Sequence, residues 1–164
     1  MAVSTPVRTY YAQNIFAHMG REKTPANFRP LGVPHHGLST VEGCRGGGKN
    51  ILEVAVLVGD GRLADVRVSC GLCNPAMYVG ADVTVGWARG RALDEILALD
   101  PLRIEALAPL FERLGGPGRP DDAREKFQYS LVALQNAVRV ALGRPPVPPP
   151  SIDGPTDRDW DEPA

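Results

Sequence analysis

The sequence predicts an α+β fold, with several helices packed on a small antiparallel sheet. Three observations predict it. Ile51–Val58 (ILEVAVLV) is almost wholly aliphatic and β-branched, and Leu63–Ser69 (LADVRVS) returns with alternating polarity. Gly59-Asp60-Gly61 lies between them, and Asp-Gly tolerates the positive φ of a tight hairpin turn. Beyond Cys73 the apolar spacing becomes helical and stays so to Leu142.

Taken in order, Thr9–Met19 predicts a short helix, with Tyr10, Ile15, Phe16 and Met19 on its apolar face and Gly20 at its end. Residues 21–50 carry Pro25, Pro30, Pro34, Gly37, Gly43 and Gly46–Gly48. They are expected to be irregular, and a loop of about 30 residues in a small domain is usually functional or mobile. In the hairpin's second strand, Ala64, Val66 and Val68 are expected on one face, with Asp65, Arg67 and Ser69 on the other. Asn74-Pro75 has the form of a helix cap and first position, opening a helix to about Arg89 that Gly90 stops. Ala92–Leu99 predicts the next helix. Asp100-Pro101 repeats the cap-plus-proline signal for a third, ended by Gly115–Gly118. Asp121 or Asp122 is expected to cap a long last helix to Leu142, with Phe127, Leu131, Leu134, Val138 and Ala141 at helical spacing.

Residues 1–142 are thus expected to form one domain. Residues 143–164 hold seven of the sixteen prolines, with Asp153, Asp157, Asp159, Asp161 and Glu162. Such a segment has little to bury, so a disordered, proline-rich acidic tail is expected, with Trp160 a stray aromatic or a docking residue. The net charge of −1 and pI of about 6.3 argue against a dedicated nucleic-acid binder. No run approaches a membrane-spanning length, and no secretory pattern opens the chain. The three cysteines do not make a disulfide scaffold. The expectation is a soluble, cytoplasmic protein with free thiols, monomeric or weakly self-associating, with no nucleic-acid or membrane partner.

The chemistry-bearing candidates are few. Gly43–Asn50 (GCRGGGKN) nearly spells a phosphate loop, but a proline-rich stretch precedes it, a strand follows it, and Asn50 stands where a hydroxyl residue is needed. Cys70-Gly71-Leu72-Cys73 lies at a strand end before a helix, where the helix N-terminus favours thiolate. Cys44 precedes the hairpin's first strand. Antiparallel pairing puts the start of one strand beside the end of the next, so Cys44 is expected close to Cys70 and Cys73. Thiolates so grouped suit iron or zinc, or disulfide exchange. His35 and His36 are lesser ligand candidates. His18 and the pair Asp94-Glu95 read as surface residues.

These residues resemble the iron–sulfur cluster scaffold family of IscU, SufU and the NifU N-terminal domain, over roughly Tyr11 to Leu142. YAQNIFAHM is similar to the family's opening helix. Cys44 stands in a glycine-containing loop, Asp65-Val66-Arg67 matches an Asp-x-Arg element, and Cys73 falls at the family's second cysteine. GWARGRALDEILAL resembles the W-x-K-G-K turn and T-L-D-E-A segment, and FQYSLVALQNAVRVAL resembles the helix that opens with the third cysteine. The departures are specific. The third cysteine becomes Tyr129, its frequent histidine neighbour becomes Gln128, the aspartate after the first cysteine becomes Gly46, and Cys70 has no counterpart.

The resemblance implies a non-enzymatic scaffold or carrier. It would assemble an iron–sulfur cluster from iron and from sulfur delivered by a cysteine desulfurase, then pass it to apo-proteins. Cys44, Cys70 and Cys73 are the expected ligands. His35, His36, Tyr129, an external thiol or a second chain are candidates for a fourth. The alternatives are a cluster-free or zinc-binding adaptor of the same fold, and a CxxC thiol oxidoreductase. The last is disfavoured because helices, not βαβ units, follow the motif.

Overall fold

The computed structural model describes residues 5–18, 24–42, 51–71, 75–114 and 124–148. Three antiparallel strands lie in the order β1 (Gly37–Glu42), β2 (Ile51–Gly59), β3 (Arg62–Gly71). The β2–β3 hairpin forms where the sequence predicts it. Asp60 and Gly61 take φ of 55° and 71°, the paired positive values of a turn whose twist matches its strands.

Two sheet expectations need correction. Residues 21–50 are not all irregular, because Gly37–Glu42 form β1 along β2, with Gly37 opposite Val56 and Glu42 opposite Ile51. The second concerns Ala64, which is exposed, while Leu63, Val66 and Val68 are buried. The register shifts between Leu57, opposite Asp65, and Val58, opposite Leu63. Ala64 is thus the extra residue of a β-bulge, and the alternation restarts across it.

The helical layer covers the inner face of the sheet. α1 (Thr5–Tyr10) continues as a π turn, Tyr11–Ile15, and a 3-10 turn, Phe16–His18. This helical stretch starts earlier than expected and buries Val7 and Ile15, while Phe16 is 64% exposed against Tyr11. α2 spans Pro75–Ala88, and Gly90, at φ 83°, follows it. The chain then turns back onto the hairpin: Leu63 N–H donates to the Arg91 carbonyl and Leu93 N–H to that of Gly61. α3 (Leu93–Ala98) ends where the buried Gln135 amide donates to the Ile96 and Leu99 carbonyls. Asp100-Pro101 makes a turn rather than a helix start, because Asp100 Oδ1 accepts the Leu102 N–H at 2.9 Å. The next helix is a 3-10 turn, Ile104–Leu107, and α4, Ala108–Glu112. The glycine stop at 115–118 and the cap at 121–122 lie outside the described residues.

α5 (Arg124–Ala141) is the central helix, buried from Lys126 through Val138. It passes so near β1 that a Cβ on Gly37 would stand 2.1 Å from the Ala137 carbonyl oxygen. The Ser39 hydroxyl donates to the Ala133 carbonyl. α2 also approaches α5 closely, and a Cβ on Gly80 would lie 2.9 Å from the Lys126 carbonyl oxygen. After α5 the chain extends through residue 148, and Asn136 clamps Val147 by both backbone groups, at 2.8 and 2.9 Å. Residues 149–164 lie outside the described residues.

Candidate thiol site at one end of the sheet

The register places Cys70 near one end of the sheet. Glu42, Ile51 and Gly71 lie side by side, and Cys70 is opposite Leu52. The chain leaves β1 there toward Cys44 and leaves β3 there toward Cys73. Both of these cysteines lie outside the described residues. Cys70 follows Val66 and Val68 in the inward series and packs, partly buried, against the core. It is disulfide-bonded. The expectation of free thiols is therefore corrected at Cys70.

Tyrosines surround this end. The Tyr78 hydroxyl, one turn into α2, donates to the Cys70 carbonyl at 3.5 Å. The Tyr78 ring packs on Phe28 at 5.2 Å. Burial raises the Tyr78 phenol above its ordinary pKa, and burial followed by the neighbouring Tyr78 does the same to Tyr11. Tyr129 enters from α5, which steps antiparallel to β1, with Gly37 against Ala137 and Ser39 against Ala133. One turn nearer the start of α5 is Tyr129, toward the end of β1 that leads to Cys44. It is 9% exposed, with the buried Lys126 ammonium 5.9 Å from its ring. Gln128 is also buried, and its Oε1 has no hydrogen-bond partner among the described residues.

His36 is not part of this group. It extends the β1 ladder at the opposite end of the sheet, donating its N–H to the Val56 carbonyl, and its Nδ1 accepts the Val58 N–H at 3.0 Å. Val58 is six residues along β2 from Leu52, a separation of about 20 Å. His36 is thereby removed as a ligand alongside Cys70. His35 lines a groove of about 310 Å³ between the segment 28–35 and the outer face of the sheet. Among the described residues no three His, Cys, Asp or Glu side chains form a metal-binding group.

Sequence reading missed a polar network that fixes segment 24–36 over the sheet. Asp82 is buried on α2 and accepts from the Tyr10 hydroxyl and, at 2.8 Å, from the Asn27 amide. The Asn27 carbonyl accepts from Arg89 at 2.6 Å, and Arg89 also reaches Asp65 at 3.0 Å and the Val66 carbonyl at 2.7 Å. Arg67 joins Asp65 to the Ala26 carbonyl. The available signal was Asp82 itself, one acid inside the apolar helix PAMYVGADVTVGWA. Such a carboxylate is tolerated in a core only when hydrogen-bonded. Burial first, and then the Asp82 hydrogen bond, push the Tyr10 phenol well above its ordinary pKa.

No family model matches the sequence, and no curated protein matches it. Solved structures do. The N-terminal part of a nitrogen-fixing NifU-like protein from Brucella abortus superposes with a TM-score of 0.56 at 16% identity, over 85% of this chain and 99% of that one. A candidate iron–sulfur cluster assembly scaffold of the SUF system, from the thermophile Fervidobacterium islandicum AW-1, superposes at 0.55 with 12% identity, over 82% and 95%. The chain has the NifU/SufU-type α+β fold. Among the described residues no helix is long and apolar enough to cross a membrane.

Proposed function

We propose that this chain is an iron–sulfur cluster assembly scaffold or carrier that takes iron and sulfur at its cysteine end and passes the cluster to apo-proteins. The observation that supports it most is the disulfide-bonded Cys70 at the end of β3 in a NifU/SufU-type fold. Two cysteine sulfurs that can bond to each other can, once reduced, also share an iron. The cluster is cargo on this reading, and the chain performs no turnover chemistry on it.

The donor set suits such cargo. Cys44, Cys70 and Cys73 are three soft thiolates, the class that iron–sulfur clusters require. Tyr129 offers a harder phenol oxygen where the family pattern has its third thiol. An incomplete thiolate set holds a cluster loosely, and loose retention suits handover. The fourth ligand is then an external thiol, a second chain or Tyr129. The proposed partners are a cysteine desulfurase as sulfur donor and apo-proteins as recipients, in a reducing cytoplasm.

The test is transfer. The reduced chain is loaded anaerobically with ferrous iron and sulfide, desalted, and mixed with an apo-ferredoxin. The expected result is a ferredoxin spectrum that grows faster than with free iron and sulfide, and that survives a chelator in solution. No chromophore after desalting would reject the reading. Tyr129 favours the second reading, a cluster-free or zinc-loaded adaptor, and a colourless chain holding zinc would point to it.

A further inference from the structure

We propose that the chain's own C-terminal segment docks in the groove on the outer face of the sheet, with Trp160 against its apolar walls and the neighbouring acids on its arginines. The groove holds about 310 Å³ between segment 28–35 and the sheet, the size of a small binding pocket. Phe28, Leu31, Val33 and Ala55 give it apolar walls, and Val33 is 57% exposed. Arg29 and Arg67 also line it, against the single acid Glu53. Arg29 is exposed and donates from Nε to the Thr24 carbonyl at 2.9 Å, which leaves its outer nitrogens toward solvent. Arg67 and Arg89 share one carboxylate, Asp65, so that cluster keeps an excess of positive charge. The buried Nε of Arg67 has no hydrogen-bond partner among the described residues. A groove of this kind takes an apolar group that carries negative charge beside it.

The segment that leaves the fold beside the groove has that chemistry. Asn136 holds Val147, and Pro146–Pro148 border Leu38, Ser39 and Thr40 of the edge strand β1. In the register Leu38 is opposite Ala55 and Thr40 is opposite Glu53. Directly opposite residues of an antiparallel pair share a face. Leu38 and Thr40 therefore lie on the face of the groove, one strand spacing of about 4.8 Å from its floor. Residues 149–164 follow, outside the described residues, and hold five acids and one basic residue, Arg158. Asp157, Asp159, Asp161 and Glu162 surround the segment's one aromatic, Trp160. The chain from Pro149 to Trp160 can extend to about 40 Å, several times the crossing needed. Such a tether gives an effective concentration in the millimolar range, so a contact too weak between separate chains closes within one. The segment is then the groove's resident occupant, and an outside ligand of the same acidic, aromatic chemistry has to displace it.

The test watches Trp160 in the full-length chain labelled with 5-fluorotryptophan, whose two fluorine resonances belong to Trp87 and Trp160. Trp160→Phe assigns them. A neutral gadolinium chelate in solution relaxes whichever indole it can approach, and a labelled peptide of residues 149–164 gives the rate of a free tail. In wild type at low salt, Trp160 is expected to relax about threefold more slowly than in the peptide. Ala55→Glu puts a carboxylate on the groove floor, and Arg29→Glu reverses a charge at its rim. Each is expected to bring Trp160 back to the peptide's rate, and molar salt is expected to act in the same direction. Trp87, 6% exposed in the core, is the internal control, and its unchanged resonance shows that a variant is folded. A wild-type Trp160 that relaxes as fast as the peptide, or protection indifferent to both substitutions, would overturn the inference. Protection that fades on dilution would overturn it too, because the tail of one copy would then occupy the groove of another. Neither iron nor a thiol enters the measurement, so its failure leaves the proposed function standing.

Discussion

The two faces of the sheet are held by different physics. On the inner face α5 lies almost against β1, with Gly37 under Ala137 and the Ser39 hydroxyl on the Ala133 carbonyl. Leu52, Val54, Val56, Val66 and Val68 complete a dry contact there. On the outer face the covering segment is tied down mainly by polar links, Arg67 to Ala26, Arg89 to Asn27 and Asn27 to Asp82, and a groove remains beneath it. Close packing leaves no slack, whereas a hydrogen-bonded cover can lose one link and keep its others. The inner face therefore sets whether the chain folds, and the outer face sets how firmly segment 24–36 sits.

The largest expected effect tests the inner face. Gly37→Ala would place a methyl 2.1 Å from the Ala137 carbonyl oxygen and 2.8 Å from the Ala141 nitrogen, both backbone atoms. Relief requires moving α5 off the sheet, at a cost of about 3 kcal/mol. For a chain of this size the melting temperature should fall by about 10 °C. An unchanged melting temperature would show that α5 does not press on β1.

A smaller effect is expected from the cover. Arg89→Ala removes the links to Asp65, Asn27 and the Val66 carbonyl. Arg89 and Asp65 are each about a third exposed, so the loss should be about 1–2 kcal/mol. Its signature is local. Amide exchange at Phe28 and Arg29, whose N–H groups bond Pro25 and Ala26, should accelerate more than exchange at Val54. Uniform acceleration would contradict a separately held cover.

The smallest effect at neutral pH belongs to Tyr10→Phe, at about 1 kcal/mol, because Asn27 still donates to Asp82. Its pH dependence is more telling. The folded Tyr10 phenol titrates above the unfolded value of about 10. Its contribution is thus complete below that value and is lost as pH rises through the folded pKa. Wild type should lose stability above about pH 10 more steeply than Tyr10→Phe, as read from urea midpoints across that range. Parallel curves would show that Tyr10 is not held neutral in the fold.

What was legible in the sequence follows the same division. The hairpin could be read because Ile51–Val58 and Asp60-Gly61 carry local signals. β1 could not, because its inward residues Gly37 and Ser39 are small to admit α5. That constraint is written in Ala133, Ala137 and Ala141, nearly a hundred residues away. The expected gathering of cysteines at one sheet end rests on antiparallel pairing alone, and Cys44 and Cys73 lie outside the described residues. The place of His36 was not legible, because it depends on the path of segment 24–36 over the sheet. Asp82 is the intermediate case. A single acid in an apolar helix is visible, but its partners Tyr10 and Asn27 come from distant segments.

The central claim is that the cysteine end of the sheet holds iron through its thiolates. The most direct measurement is the Mössbauer spectrum of the reduced chain after loading with ⁵⁷Fe and sulfide, for wild type and for Cys44→Ser, Cys70→Ser and Cys73→Ser. The account predicts a cluster doublet in wild type that each of the three substitutions weakens or abolishes. A wild-type spectrum of adventitious ferrous iron alone, or a cluster signal indifferent to all three, would contradict it.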